Sequence, residues 1–466
     1  MKALTRREIQ AGVQATRIHA LDGEDISAIF TDTRRALPGG LFVALKGENF
    51  DAHDHLEQAL SAGACGLVVS KESSLPKTLD PELFVVVVDD TRRALSELGR
   101  LVRIKHPGRF AAVTGSVGKT SVKDMLSAAL QESGKVAASP GNWNNEIGLP
   151  LSLFATHGDE DFVVLELGMS AAGEIQALTE VGQPELGIIT AAAAAHLEFF
   201  ESVDAIADAK AELWEALPDG GRAIACADDA RILERAQRLR PEGLISYGLS
   251  ESADFRVTEV TQSSAGLKAT IRHPEGQVTL ELKALGQHNA VNAAGALAAA
   301  GMLGVGIDEA SHSLSTHFRP ATHRLQVHQT QMKAFVLDDC YNANPMSTKA
   351  ALRTLAEVGN SACGLGAVLG SMLELGEDAD ALHHEVGRFA AEQGVVWLAA
   401  TGKHAAALAE GARDGGVQSV LQVADADELV EAAQRFTIDG RWLLLKGSRG
   451  ERLERLLAPL GVEEVR

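Results

Sequence analysis

The sequence predicts an α/β protein of three units, each a mainly parallel sheet flanked by helices. Three observations predict this. Short apolar runs alternate with stretches of helical spacing along most of the 466 residues. Apolar residues make up 45% and charged residues 23%, a balance that supplies several cores and excludes extended disorder. At ~100–200 residues per domain, this length fits two to four domains, most readily three.

The first unit is residues 1–90. Leu41–Leu45, Gly66–Ser70 and Phe84–Val88 read as strands, the last apolar throughout and so buried on both faces. His55–Ala62 reads as a helix stopped by Gly63, and Ser73–Pro81, with two prolines, as a loop. In Thr91–Ile104, Ala94, Leu95, Leu98, Leu101 and Val102 recur at helical spacing, and Lys105-His-Pro-Gly108 ends the helix, which bridges to the second unit, 91–318. There Phe110–Thr114, Phe162–Glu166 and Leu186–Thr190 are strands, Ser121–Ser133 is a helix, and alternation continues to about Arg319. The third unit, 319–466, places strands at Ala334–Asp338, Gly364–Leu369, Val395–Thr401 and Trp442–Lys446.

A formal charge of −20 without a Lys/Arg run argues against a nucleic-acid binder, and 4% aromatic content argues against base-stacking platforms. The four cysteines form no CxxC pair, which fits a reducing compartment and no structural zinc. Met1–Gln10 is polar and charged, unlike a signal peptide, and no apolar run reaches the ~20 residues of a membrane helix. The expectation is a cytoplasmic protein without membrane insertion.

The chemistry centres on Thr114-Gly-Ser-Val-Gly-Lys-Thr-Ser121, between a strand and a helix. Gly115 and Gly118 let the backbone curl so that the N–H groups of Ser116, Val117 and their neighbours face phosphate oxygens. Lys119 reaches the outer phosphates and Thr120 offers a hydroxyl to Mg²⁺. Val113 occupies the usual first-glycine position. Glu166 closes a strand and His196 follows the run Ala191–Ala195, at strand ends where ligands gather and where a second cation can be held. Lys210 reads by pattern alone as a surface lysine. Asn289, opening a helix, suits either an adenine contact or an N-cap. Asp338-Asp-Cys-Tyr-Asn-Ala-Asn-Pro345 is a polar cluster at a strand end, and Lys446-Gly-Ser-Arg449 is a phosphate or carboxylate contact or an ordinary turn.

Together these segments resemble the Mur ligases, ATP-dependent amide-forming enzymes of peptidoglycan precursor synthesis. Further matches are Thr31-Asp-Thr-Arg34, Phe42–Gly47, Phe50–Asp54, Gly141–Pro150, His288–Asn292 and Glu374-Leu-Gly376 with His383. The Tyr341-Asn-Ala-Asn344 cluster and the N-terminal segments favour the D-alanyl-D-alanine-adding branch. The resemblance implies a small UDP-binding domain, a central P-loop ATPase-like domain and a C-terminal Rossmann-like domain. It implies ATP and Mg²⁺, with UDP-N-acetylmuramoyl-tripeptide and D-alanyl-D-alanine as partners, and a monomer. The tripeptide carboxylate attacks the γ-phosphate, and the dipeptide amine displaces phosphate from the acyl phosphate.

By the same resemblance, Lys119, Glu166, His196 and Lys210 are catalytic, and Thr120, Glu166, His196 and a carbamylated Lys210 serve magnesium. Gly115–Ser121, Asn289, Arg319, Asp339 and Tyr341 bind the nucleotide. Thr31, Asp32, Arg34, Lys46, Asn142, Asn145, Asn342, Asn344, Lys446 and Arg449 fall in substrate regions. The chain departs from the family pattern at Ala191, at Ser170-Ala171 and at Phe199-Phe-Glu201. The alternatives are a Mur-type or folylpolyglutamate-synthase-like ligase with another acceptor, and a nucleotide-binding switch without turnover.

Overall fold

The computed structural model describes residues 1–194, 198–359 and 362–462. Among them the strands form three sheets, of five, nine and six strands. In the first, Phe84–Val88 lies between a parallel neighbour, Gly66–Val69, and an antiparallel one, Ala15–His19. All five of its residues are buried, as a run of Phe and Val with no polar member requires. Asp90 then caps the helix Thr91–Lys105, its carboxylate accepting from the N–H groups of Arg92 and Arg93 at 2.8 and 3.4 Å.

That helix joins the first two units. Its apolar face, Ala94, Leu95, Leu98 and Val102, belongs to one core running from Leu4 and Phe84 to Phe110 and Leu165. The chain boundary near residue 90 is therefore crossed by continuous apolar packing.

In the central sheet the strands Val136–Ala138, Phe162–Glu166, Arg109–Thr114, Leu186–Ile189, Arg222–Cys226 and Ile245–Gly248 lie side by side and parallel. The expected alternation to Arg319 is interrupted here. Phe255–Ser263, Gly266–His273 and Gly276–Leu282 form an antiparallel meander at the sheet edge. In its last strand Val278, Leu280 and Leu282 are buried while their neighbours face solvent, the period-2 pattern of a one-sided sheet. The phosphate-loop helix, Lys119–Leu130, starts two residues earlier than its apolar spacing suggests, because Lys119 and Thr120 form its first turn.

The third sheet is parallel except for the edge strand Gln326–Gln329. Next to its strand Phe335–Asp338 starts the helix Pro345–Val358. Asn344 caps it reciprocally with Ser347, and Pro345 fills the first turn, where a missing N–H costs nothing. No helix among the described residues is long and apolar enough to cross a membrane.

Candidate active site

The ends of the central strands and the third unit enclose a cavity of about 390 Å³. One wall is the loop after Arg109–Thr114. Gly115 has φ 151°, and a Cβ there would lie 1.8 Å from the Thr190 hydroxyl, so only glycine fits. Gly118, at φ 82°, closes the turn into the helix. The loop leans on the neighbouring strand: Thr190 donates to Val117 O and Thr114 O, and Ser116 N–H donates to Ala191 O at 2.8 Å. Ala191 thus contributes backbone, and its lack of a polar side chain costs the loop no contact. Ser116–Ser121 all line the cavity.

Lys119 Nζ donates to Gly115 O at 2.7 Å, folded back over the loop. Burial pushes its pKa down, Glu166 opposes this, and Arg324 adds to it. Glu166 is 1% exposed. Its Oε1 accepts from Asn144 Nδ2 at 2.9 Å, while Oε2 is buried with no hydrogen-bond donor among the described residues. A buried, orphaned carboxylate oxygen and the Thr120 hydroxyl line one cavity and are oxygen donors of the kind Mg²⁺ takes, so the residues present fit that ion.

Lys210, expected at the surface from its pattern, is 2% exposed. Burial, reinforced by Lys119, holds its pKa well below the ordinary lysine value. His196 lies outside the described residues.

The opposite wall comes from the third unit. Asp339 pairs with Lys446, whose ammonium also donates to Asn342 O at 3.0 Å. Lys446 is therefore a buried counter-ion to Asp339 and not a free anion-binding cation. Tyr341, Asn342 and Asn344 line the cavity, as do Asn142 and Asn289. Asn289 donates to Leu285 O at 2.7 Å and accepts from Asn292 at 3.2 Å, so its amide is braced within its helix.

Two expected cations are elsewhere. Arg319 is exposed, its guanidinium donating to Thr316 O and Phe318 O at 2.9 and 2.7 Å. Arg449 points outward and pairs with Glu454 at 3.1 Å. Arg324 enters the cavity in their place. Its guanidinium lies 4.3 Å from the Tyr341 ring centroid and donates to the Thr120 hydroxyl at 3.3 Å. The backbone aims it there: His323 and Leu325 on either side have φ 61° and 50°, and His323 Nδ1 is 2.7 Å from the buried Asp338 carboxylate. A basic residue in the link before the third sheet was the available sequence signal, but Arg319 and Arg324 share it equally.

A second cavity, about 520 Å³, lies in the first unit and is lined by Thr31, Asp32, Arg34, Phe42, Phe50, His55 and Gln58. Arg34 chelates Asp32, which drops to a pKa of about 2 through hydrogen bonds from the Arg34 side chain and backbone. Phe50 stacks on His55 at 4.9 Å between ring centroids. Lys46 is exposed and does not line this cavity, though its carbonyl accepts from Arg92 at 3.2 Å. Asn145 lies just before the helix Gly148–Phe154, its side-chain oxygen accepting from Gly148 N–H at 2.9 Å. It lines a groove of about 810 Å³ along Thr91–Lys105, not the phosphate cavity.

A strand–loop–helix turn of this kind, met by an arginine from a second, mainly parallel sheet, is the architecture of a protein that holds the terminal phosphates of a nucleotide. Residues 113–300 match the Mur ligase middle domain and residues 323–449 the Mur ligase, glutamate ligase domain. The UDP-N-acetylmuramoyl-tripeptide–D-alanyl-D-alanine ligase of Escherichia coli (strain K12) is 36% identical, covering 94% of this chain and 95% of its own. That of Bacillus subtilis (strain 168) is 34% identical over 93% of each. A crystal structure of MurF from Acinetobacter baumannii superposes with a TM-score of 0.88 at 31% identity, covering 99% of both chains. MurF ligase from Thermotoga maritima, in complex with ADP, gives a TM-score of 0.83 at 25% identity, over 93% of this chain and 97% of its own. The chain belongs to the Mur ligases, in the branch of UDP-N-acetylmuramoyl-tripeptide–D-alanyl-D-alanine ligases.

Proposed function

We infer that this chain joins D-alanyl-D-alanine to UDP-N-acetylmuramoyl-tripeptide at the expense of ATP, releasing ADP and phosphate and forming UDP-muramoyl-pentapeptide. The observation that carries this reading is the phosphate cradle faced by Arg324, in a chain similar over nearly its whole length to ligases of that name. The first step brings a carboxylate against a triphosphate, so like charges must be offset in the cleft. Lys119 and Arg324 supply fixed positive charge at the two sides of the phosphates. Glu166 and Thr120, with His196 and Lys210, would hold Mg²⁺, which neutralises charge on the transferred phosphoryl group. The acyl phosphate hydrolyses readily, and the third unit lying over the cradle excludes water. Asp339 and Tyr341 serve the nucleoside, Asn142, Asn342 and Asn344 the substrates, and the aromatic-walled cavity of the first unit the UDP moiety. Purified protein should release phosphate from ATP only with both UDP-muramoyl-tripeptide and D-alanyl-D-alanine present. Equal release without the dipeptide would exclude the ligase reading and favour a nucleotide switch.

Lys210 serves as a carbamate. Burial lowers the pKa of this amine and so favours the neutral form that adds CO₂ with loss of one proton; the resulting anion is a magnesium ligand where an ammonium is not. Lys210→Ala should lose most turnover, and bicarbonate should raise the activity of CO₂-depleted wild-type protein. Full activity of the variant, with no bicarbonate effect on the parent, would refute the carbamate.

A further inference from the structure

One buried ammonium beside the cradle has no part in the chemistry above. Lys123 lies one helical turn beyond Lys119 and is 3% exposed. Its Nζ donates to Ser139 O at 2.9 Å and Gly141 O at 3.4 Å, and lies 3.2 Å from Asp124 Oδ1. It is also 3.9 Å from Glu166 Oε2, the orphaned oxygen. The segment it grips is fastened further to the Glu166 strand and the residues just after it. Glu166 N–H donates to Ser139 Oγ at 3.1 Å, Gly168 N–H to Asn144 O at 2.8 Å, and Asn144 Nδ2 to Glu166 Oε1 at 2.9 Å.

Burying an ammonium is costly, and a neutral donor would suffice to tie two backbone carbonyls. The charge finds its use in the carboxylates it faces. We propose that Lys123 is a positioning residue that holds the Glu166 carboxylate aimed into the cleft, ready for a divalent cation. Through Ser139 and Gly141 it also fixes the turn that presents Asn142 and Asn144. This rests on the reading of Glu166 as a magnesium ligand. Groups that orient a metal ligand typically change metal affinity by ~10–100-fold when removed.

The test uses full-length protein with ADP, and Mn²⁺ as a paramagnetic probe titrated by electron paramagnetic resonance. Lys123→Gln keeps a donor for Ser139 and removes the charge. It should weaken Mn²⁺ binding to the ADP complex by about 10-fold or more, with ADP affinity in the absence of divalent cation little changed. Lys123→Arg, which restores the charge, should recover most of the loss. If the glutamine variant does not fold, Lys123→Met carries the same readout. Glu166→Gln separates the two levels. If it abolishes Mn²⁺ binding while Lys123→Gln binds as the parent does, the role of Lys123 is refuted and that of Glu166 stands. If Glu166→Gln binds Mn²⁺ normally, the metal-ligand reading itself falls. Equal losses in ADP affinity and Mn²⁺ binding, unrescued by arginine, would mark Lys123 as merely structural.

Discussion

Arg324→Ala is expected to lower acceptor-dependent phosphate release by about 10³-fold, while Arg319→Ala leaves it nearly unchanged. The first figure follows from the worth of an arginine aimed at a transferring phosphoryl group, ~10³–10⁵ in turnover. Arg324 holds that position: it reaches from the third unit to the Thr120 hydroxyl, at 3.3 Å, and is pre-set by the Tyr341 ring and by two left-handed residues. Its planar fork makes lysine a poor replacement, so Arg324→Lys should recover only a minor part of the loss. Arg319 spends its guanidinium on carbonyls of its own helix end, and exposed residues of that kind seldom matter by more than ~0.5 kcal/mol. Steady-state kcat for the two alanine variants decides the matter. A deficit in Arg319→Ala as deep as that in Arg324→Ala would overturn this assignment of the arginines.

The contrast between these arginines shows where sequence reasoning stops. The phosphate loop was legible because its chemistry is local: glycine at positive φ, then lysine and threonine on a helix start, all within eight residues. Buried strands were legible for the same reason, and Phe84–Val88, Phe162–Glu166 and Trp442–Lys446 have the bounds that their apolar runs suggest. The edge meander carries a local signal that the expectation did not include. Val278, Leu280 and Leu282 alternate, and glycines mark the turns at 266 and 276, which is the pattern of an antiparallel edge and not of α/β alternation. The burial of Lys210, Lys123 and Lys446 was not legible. Each is a lysine whose burial depends on distant segments, and helical spacing or position after a strand gives the same pattern whether the outer face meets solvent or another layer. Arg324 depends on φ values at its two neighbours, which neither His nor Leu advertises.

Lys446→Met should destabilise the protein strongly at neutral pH and much less in mild acid. Lys446 is 2% exposed and is the cation paired directly with the mostly buried Asp339 carboxylate, Arg324 adding a weaker positive influence. Removing one partner of a buried pair leaves an uncompensated charge and typically costs ~3–5 kcal/mol. The pH dependence follows from the direction of the Asp339 pKa. Burial raises it above the ordinary aspartate value even with Lys446 in place, the ammonium opposing that rise. Without the ammonium it climbs further. A carboxyl whose folded pKa exceeds its unfolded one binds more protons when folded, so the penalty is full above the folded pKa and fades as pH falls through it. Urea unfolding of the variant and the parent at pH 7 and again near pH 5 gives the comparison. A stability gap of the same size at both pH values would mean that lost packing, rather than a stranded carboxylate, accounts for the effect. The same stranded charge sits in the nucleotide cavity, beside Arg324 and Tyr341. The variant's affinity for ADP should therefore recover over the same fall in pH as its stability, since protonating Asp339 removes both the desolvation cost and the repulsion of the phosphates.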